Sequence, residues 1–275
     1  MTDARQFLGM EEQGDPLHWR LHVVPELTTP GNFLFGGCGL GAALVALEAA
    51  ADRPTVWATC QYLSFAPTDS VLDLTVTLAA VGGRVTQGRV VARTGDAEIL
   101  TVNAALGRPA DPGDPDAEGV WERPPEVPPP DECPPRRLPS FISTSIFDQI
   151  DVRLAKGRSF EEISSGQPTP GDPDSALWAR VPGHLEPSAA TLAILGDYVT
   201  GGVSQPLGRR TMSRSLDNTL RVVRLEPTEW VLCDIRIQAL AGGFGQGTAY
   251  LWSERGNLLA TASQSMSIRF APPLT

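Results

Sequence analysis

The sequence predicts an α+β protein in which two tandem copies of one unit each wrap a long antiparallel sheet around one central helix. Three observations carry this. Residues Pro67–Thr101 lie over Pro227–Thr261 without a gap, 160 residues apart, with Pro67 on Pro227, Leu72 on Leu232, Gly82-Gly83 on Gly242-Gly243 and Thr101 on Thr261. Gly36–Ala51 reads as a helix that is apolar on every face. Long strand-like runs joined by hairpin signals follow it. Two copies are too few for a solenoid, which stacks at least three, so the pattern describes a pseudo-dimer whose function belongs where the copies meet.

In the first copy a short strand covers His18 to Val24, followed by a turn at Pro30-Gly31. In GGCGLGAALVALEAAA, Leu40, Leu44 and Leu47 recur at spacings of four and three, one helical stripe, and alanine fills most of the rest. Its charges wait until Glu48 and Asp52, so other structure should enclose it. Sixteen residues make a helix about 24 Å long. Strand-like runs then cover Thr55–Phe65, Val71–Val81, Arg84–Arg93 and Glu98–Leu106, joined by Pro67, Gly82-Gly83 and Gly95-Asp96. Eleven strand residues reach about 37 Å, long enough to curl past the helix.

The second copy repeats the order. Strands are expected at Ser145–Leu154 and Ala176–Val181, a helix from Ser188 to Val199 ended by Gly201-Gly202, and strands at Met212–Arg224, Glu229–Ala241, Phe244–Ser253 and Leu258–Phe270. The proline- and acid-rich stretch between the copies lacks backbone donors and core-forming side chains. It reads as a linker, giving domains 1–108 and 141–275 with a linker at 109–140. Ser164–Asp174 reads as a surface insertion.

The chain has 275 residues, 41% of them hydrophobic, and a formal net charge of −10. Such a charge speaks against nucleic-acid or anionic-membrane partners, which call for clustered basic residues. No apolar run approaches the ~20 residues of a membrane span, and Met1–Gly14 has no signal-peptide order. The cysteines Cys38, Cys60, Cys133 and Cys233 show no CxxC spacing, so free thiols and a cytoplasmic location are expected. His18 and His22 stand four apart without the Glu of a zinc motif, and His184 is isolated; no metal and no cofactor are expected. Gly37–Ala42 matches GxGxxA in the wrong setting for a dinucleotide. Residues 202–206, GVSQP, lack the last glycine of a nucleophile elbow.

Several motifs resemble those of the acyl-CoA thioesterase II (TesB-like) family of double-hotdog proteins. They are FLFGGCGLGAALVAL (33–47), the strand end at Tyr62–Pro67, the Gly82-Gly83-Arg84 hairpin, SLDNTL (215–220), EWVL (229–232) and LLATASQSMSIR (258–269). The resemblance covers most of the chain outside the linker. It implies a tandem double hotdog that hydrolyses acyl-CoA to a free acid and CoA, with a water activated by an Asp, Thr and Gln trio. On this sequence the trio falls on Asp217, Gln238 and Gln264, with Gln238 in the place of the family Thr and Asn218 in that of a frequent His. It also implies a homo-oligomer, a dimer of double hotdogs, working in fatty acid metabolism.

The residues suit that chemistry. An ionised Asp accepts a proton from water, and a Gln amide can orient that water. The helix start at Gly37, Cys38 and Gly39 offers N–H groups for an oxyanion and is expected to face Asp217 across the copies. Leu40 and Leu44 are expected to line an acyl tunnel that Trp57 or Trp178 could shorten. Arg84, and less so Arg89, is a candidate for the CoA phosphates. Taken without the resemblance, Asp217 reads as a turn or strand-edge carboxylate, Gln264 as a polar strand residue and Cys38 as small packing rather than a nucleophile. The alternative function is a catalytically weak or inactive acyl-CoA binder. A hydratase of the same superfamily pairs Asp with His, and neither the helices nor the second-copy strands carry one.

Overall fold

The computed structural model describes residues 3–108, 119–136, 144–165, 169–181 and 187–271. The first half runs α1 (Ala4–Leu8), β1 (Met10–Glu12), β2 (His18–His22), a 3-10 turn (Pro25–Leu27), α2 (Gly36–Ala51), β3 (Thr55–Tyr62), β4 (Val71–Val81), β5 (Val85–Thr94) and β6 (Ala97–Gly107). The second runs α3 (Ile146–Gln149), β7 (Asp151–Lys156), α4 (Phe160–Ser165), β8 (Asp174–Arg180), α5 (Ala189–Leu195), α6 (Val199–Gly202), α7 (Ser204–Leu207), β9 (Thr211–Ser215), β10 (Asp217–Val222), β11 (Val231–Ala241), β12 (Phe244–Ser253) and β13 (Leu258–Phe270).

All strands join one antiparallel sheet in the order β1-β2-β4-β5-β6-β3-β10-β13-β12-β11-β8-β7, with β9 also paired to β13. Each half has the same order read from its outer edge to the centre. The halves meet at β3 and β10, where Thr59 lies opposite Thr219 and their hydroxyls bond at 2.8 Å. These residues stand 160 apart, so equivalent positions touch and the pseudo-two-fold axis passes between them. Contact of a position with its own equivalent is what a two-fold interface requires. The fold is the tandem double hotdog.

Leu40, Leu44 and Leu47 are fully buried, as are Leu72, Val90, Val102 and Ala104 on the strands around them. A helix apolar all round is enclosed all round. The leucines expected to line a tunnel are therefore packed core. α2 lies against α5, close enough that a Cβ on Gly37 would sit 2.8 Å from the Ala193 carbonyl and 2.9 Å from the Ile194 Cα. A Cβ on Gly41 would come within 3.2 Å of the Ala190 carbonyl. The glycines at the start of α2 thus let two helices approach backbone to backbone.

The second half departs from the expected elements in three places. The expected strand at Ser145–Leu154 opens with α3, capped reciprocally by Ser145 and Asp148, and β7 begins only at Asp151. The expected helix 188–199 breaks at Gly196, where the backbone runs so near the sheet that a Cβ would lie 3.2 Å from Ala262 and Leu251; Gly201 and Gly202 fall inside α6. The expected strand Met212–Arg224 is interrupted at Leu216. In the insertion expected at Ser164–Asp174, residues 166–168 lie outside those described.

The stretch 119–136 is not a bare linker. Trp178 Nε1 donates to the Pro128 carbonyl at 2.9 Å, and the Arg136 N–H donates to Val152 at 2.8 Å. Cys133 and Val127 pack with Trp178, Trp230, Leu232, Trp252 and Leu258 on the outer face of the second half. Proline removes donors but still presents carbonyls and apolar rings, which is what this surface uses. Trp178 therefore faces the linker and not the helix. No helix among the described residues is long and apolar enough to cross a membrane.

Candidate active site

A single carboxylate lies buried where the halves meet. Asp197 follows the break after α5 and is 5% exposed. Its Oδ2 accepts from the Gly37 N–H at 2.6 Å, at the start of α2 in the other half. Its Oδ1 accepts from Asn218 Nδ2 at 3.2 Å and from Gln264 Nε2. The same Gln264 amide donates to Ser215 Oγ at 3.3 Å. Asn218 and Gln264 are 1% and 2% exposed.

Burial raises the Asp197 pKa from its usual 3.8 to about 7, against the lowering effect of the bonds from Gly37, Gln264 and Asn218. A carboxylate has about four acceptor positions, and three are taken, leaving one toward any water or substrate. Around it two polar atoms have no partner among the described residues, Gln264 Oε1 and Asn218 Oδ1, and the Tyr62 hydroxyl lies beside Asn218 and Cys60. The Tyr62 ring borders Gly36, whose Cβ would lie 3.0 Å from that hydroxyl. Buried polar groups seldom stay unsatisfied, so the cluster has unmet bonding capacity.

Strand register explains which side chains enter. Ser215 lies opposite Met266 and Thr219 opposite Ser263, so β9 and β10 spend four residues against three on β13. The extra residue is a bulge at Leu216. It turns both Ser215 and Asn218 inward, although an unbroken strand would send positions three apart to opposite faces. Asp217 is turned out for the same reason. Its Oδ1 accepts from the Ser265 N–H at 2.7 Å, and the residue is partly exposed.

Of the residues singled out from the sequence, Gln264 and Gly37 come together, around Asp197 and not around Asp217. The Cys38 and Gly39 N–H groups bond to the Phe35 carbonyl. Cys38 is fully buried, and burial, with Asp197 nearby, pushes its thiol pKa well above 9.0, which silences it as a nucleophile. Gln238 lies outside the cluster. It is the unpaired residue of a bulge on β11, exposed, and its amide donates to Thr248 Oγ1 at 3.0 Å. Arg84 follows Gly82, whose carbonyl accepts from Arg53 just past the end of α2. That puts Arg84 at the opposite end of a helix about 24 Å long. Among the described residues no three His, Cys, Asp or Glu side chains gather as metal ligands. His184 lies outside the described residues.

The sequence motifs do not single out Asp197 or Ser215. One signal is present: between Glu186 and Arg209 the sequence holds a single charged residue, Asp197, in an otherwise uncharged run. The mirrored position in the first half is apolar. The sheet equivalents of Asn218 and Gln264, 160 residues earlier, are Ala58 and Ala104. Counted from the helix starts Gly36 and Ala189, Asp197 corresponds to Leu44. The polar cluster thus occupies one side of the axis only.

Comparison with known proteins agrees with this architecture. The acyl-CoA thioesterase N-terminal domain model matches residues 24–107, and the acyl-CoA thioesterase C-terminal domain model matches residues 124–268. A candidate thioesterase from Novosphingobium aromaticivorans is 32% identical with a TM-score of 0.81, over 94% of this chain and 97% of that one. A hot-dog-fold protein of unknown function from Alicyclobacillus acidocaldarius superposes with a TM-score of 0.83 at 19% identity, over 98% of each chain. The acyl-CoA thioesterase II TesB2 of Mycobacterium marinum gives 0.72 at 20% identity, over 98% of this chain and 100% of that one. No curated protein matches the chain. With both halves matched in order and nearly the whole chain covered, this protein belongs to the acyl-CoA thioesterase family of hydrolases.

Proposed function

We propose that the chain hydrolyses acyl-CoA at the Asp197 cluster, with Asp197 as general base and Gln264 and Ser215 holding the attacking water. The observation that carries this reading is the buried carboxylate with pKa about 7, bonded to Gln264 and Asn218. A base poised near the working pH is half available and still basic enough to take a proton. Carboxylate, hydroxyl and carboxamide are the groups the resemblance calls for, with Asp197 and Ser215 taking the parts first assigned to Asp217 and Gln238. Because Ser215 supplies a hydroxyl, the glutamine at 238 no longer favours a silent binder.

In this reading a water fills the open acceptor position on Asp197 and attacks the thioester carbonyl carbon as Asp197 takes its proton. The charge that develops on the carbonyl oxygen meets the Tyr62 hydroxyl and the positive end of the α2 dipole. The Gly37 N–H is the donor that holds Asp197, so of the glycines at the helix start it positions the base. The intermediate collapses, the C–S bond breaks, and Asp197 returns the proton to the departing sulfur. The products are a carboxylic acid and CoA. Arg214, next to Ser215 and stacked over the exposed Phe65 at 4.3 Å, replaces Arg84 as the cation proposed for CoA phosphate.

The test is thiol release from acyl-CoA esters of several lengths by the wild type and Asp197→Asn. General-base loss should lower kcat by 10²–10⁴. Undiminished release by Asp197→Asn would remove the assignment, and no release from any ester by the wild type would remove the activity.

A further inference from the structure

A cavity of about 480 Å³ opens in the second half between the inner face of the sheet, α6, α7 and the linker end. Leu154, Leu177 and Ile235 form its apolar floor, and Tyr198, Gly201 and Arg136 line its walls. Asp197, Gly37, Asn218, Ser215 and Gln264 do not line it, so it is separate from the site above. Its size falls in the ordinary range for small-molecule pockets.

Three arginines and one carboxylate, Glu161, line this cavity, and the arginines are not equivalent. Arg158 is held by the carbonyls of Thr169 at 2.6 Å and Pro170 at 3.2 Å. Arg210 stacks on Phe160. Arg136 has no ion pair and no side-chain hydrogen bond among the described residues; it lies over the Tyr198 ring at 5.7 Å. Desolvation lowers its pKa, and the one group that opposes this is Tyr198, not a carboxylate. The buried Tyr198 hydroxyl is also without a partner. A desolvated cation with no counter-ion among the described residues is costly, and here it borders a largely apolar space large enough for a ligand.

We propose that this cavity is a binding site for a small amphiphilic carboxylate, with its apolar body on Leu154, Leu177 and Ile235 and its carboxylate on Arg136. A single guanidinium fork matches a carboxylate in a bidentate pair, and the apolar floor selects an organic acid over a bare inorganic anion. Gly201 supplies an independent handle, since a Cβ there would meet only Arg136 Nη2, at 3.8 Å. A side chain at 201 therefore starts toward the guanidinium with nothing else within 4 Å of its Cβ.

Calorimetric titration of the full chain with octanoate tests this. One octanoate should bind per chain, at least tenfold more weakly in Arg136→Met and in Gly201→Leu, and unchanged in Asp197→Asn. Gly201→Leu keeps the test open if Arg136→Met does not fold. Failure of octanoate to saturate the wild type would overturn the proposal. So would binding that survives both cavity changes, or binding that only Asp197→Asn removes. Inorganic phosphate binding as tightly as octanoate would also overturn it, since a plain anion site would then suffice. None of these outcomes depends on thioester hydrolysis, so this proposal and the catalytic one fail separately.

Discussion

Replacing Asp197 with Asn should stabilise the protein, and by more as the pH rises. Burial raises the Asp197 pKa from 3.8 to about 7, so the folded state holds the proton more tightly than the unfolded chain does. The stability contributed by a group raised in this way is complete below its unfolded pKa. It is lost as the pH climbs through the folded value. At about 1.4 kcal/mol per pH unit, the native state loses about 2 kcal/mol from this residue by pH 5 and about 4 kcal/mol by pH 8. Asn cannot ionise and escapes that loss. Its amide also fits the site, because Gln264 Oε1 and Asn218 Oδ1 have no partners and either carboxamide can flip to accept from it. Urea unfolding of both proteins at pH 5 and pH 8 measures the effect. The stability gap, Asn over Asp, should widen by roughly 2–3 kcal/mol between the two; all other carboxylates are common to both proteins and cancel. A gap that stays constant, or narrows, would refute a buried carboxylate with a raised pKa.

Two further changes discriminate among the residues around it. Gly37→Ala places a Cβ 2.8 Å from the Ala193 carbonyl, forcing α2 and α5 apart. It should cost about 1–3 kcal/mol of stability and reduce thiol release by loosening the Gly37–Asp197 bond, both read from unfolding curves and steady-state rates. Gln238→Ala removes an exposed amide bonded to Thr248. It should leave stability within about 0.5 kcal/mol and kcat unchanged, so a large loss of rate would return Gln238 to the site.

The global architecture was legible because duplication and periodicity are long-range, redundant signals. The match over Pro67–Thr101 and Pro227–Thr261 reappears as the mirrored strand order about Thr59 and Thr219. The bounds Gly36 and Ala51 of the first helix coincide with those read from its apolar run. What was hidden depends on single-residue events. A one-residue bulge at Leu216 decides that Ser215 and Asn218 face inward and Asp217 outward, and alternation read from sequence assigns the reverse pairing. Asp197 sits at a helix break whose cause, the approach of Gly196 to Ala262 and Leu251, is tertiary. In the sequence the linker's prolines show only as bonds that cannot be donated. Its carbonyl at Pro128 and its buried Cys133 make the contacts instead.

The central claim is that a buried carboxylate at position 197 takes the proton from water. The pH dependence of kcat/KM for thiol release reports the ionisation of the free enzyme's essential base. It should rise about tenfold per unit at low pH and level off near the Asp197 pKa of about 7. A profile already flat from pH 5 to 8 would contradict the claim, since a base with that ionisation could not be at work.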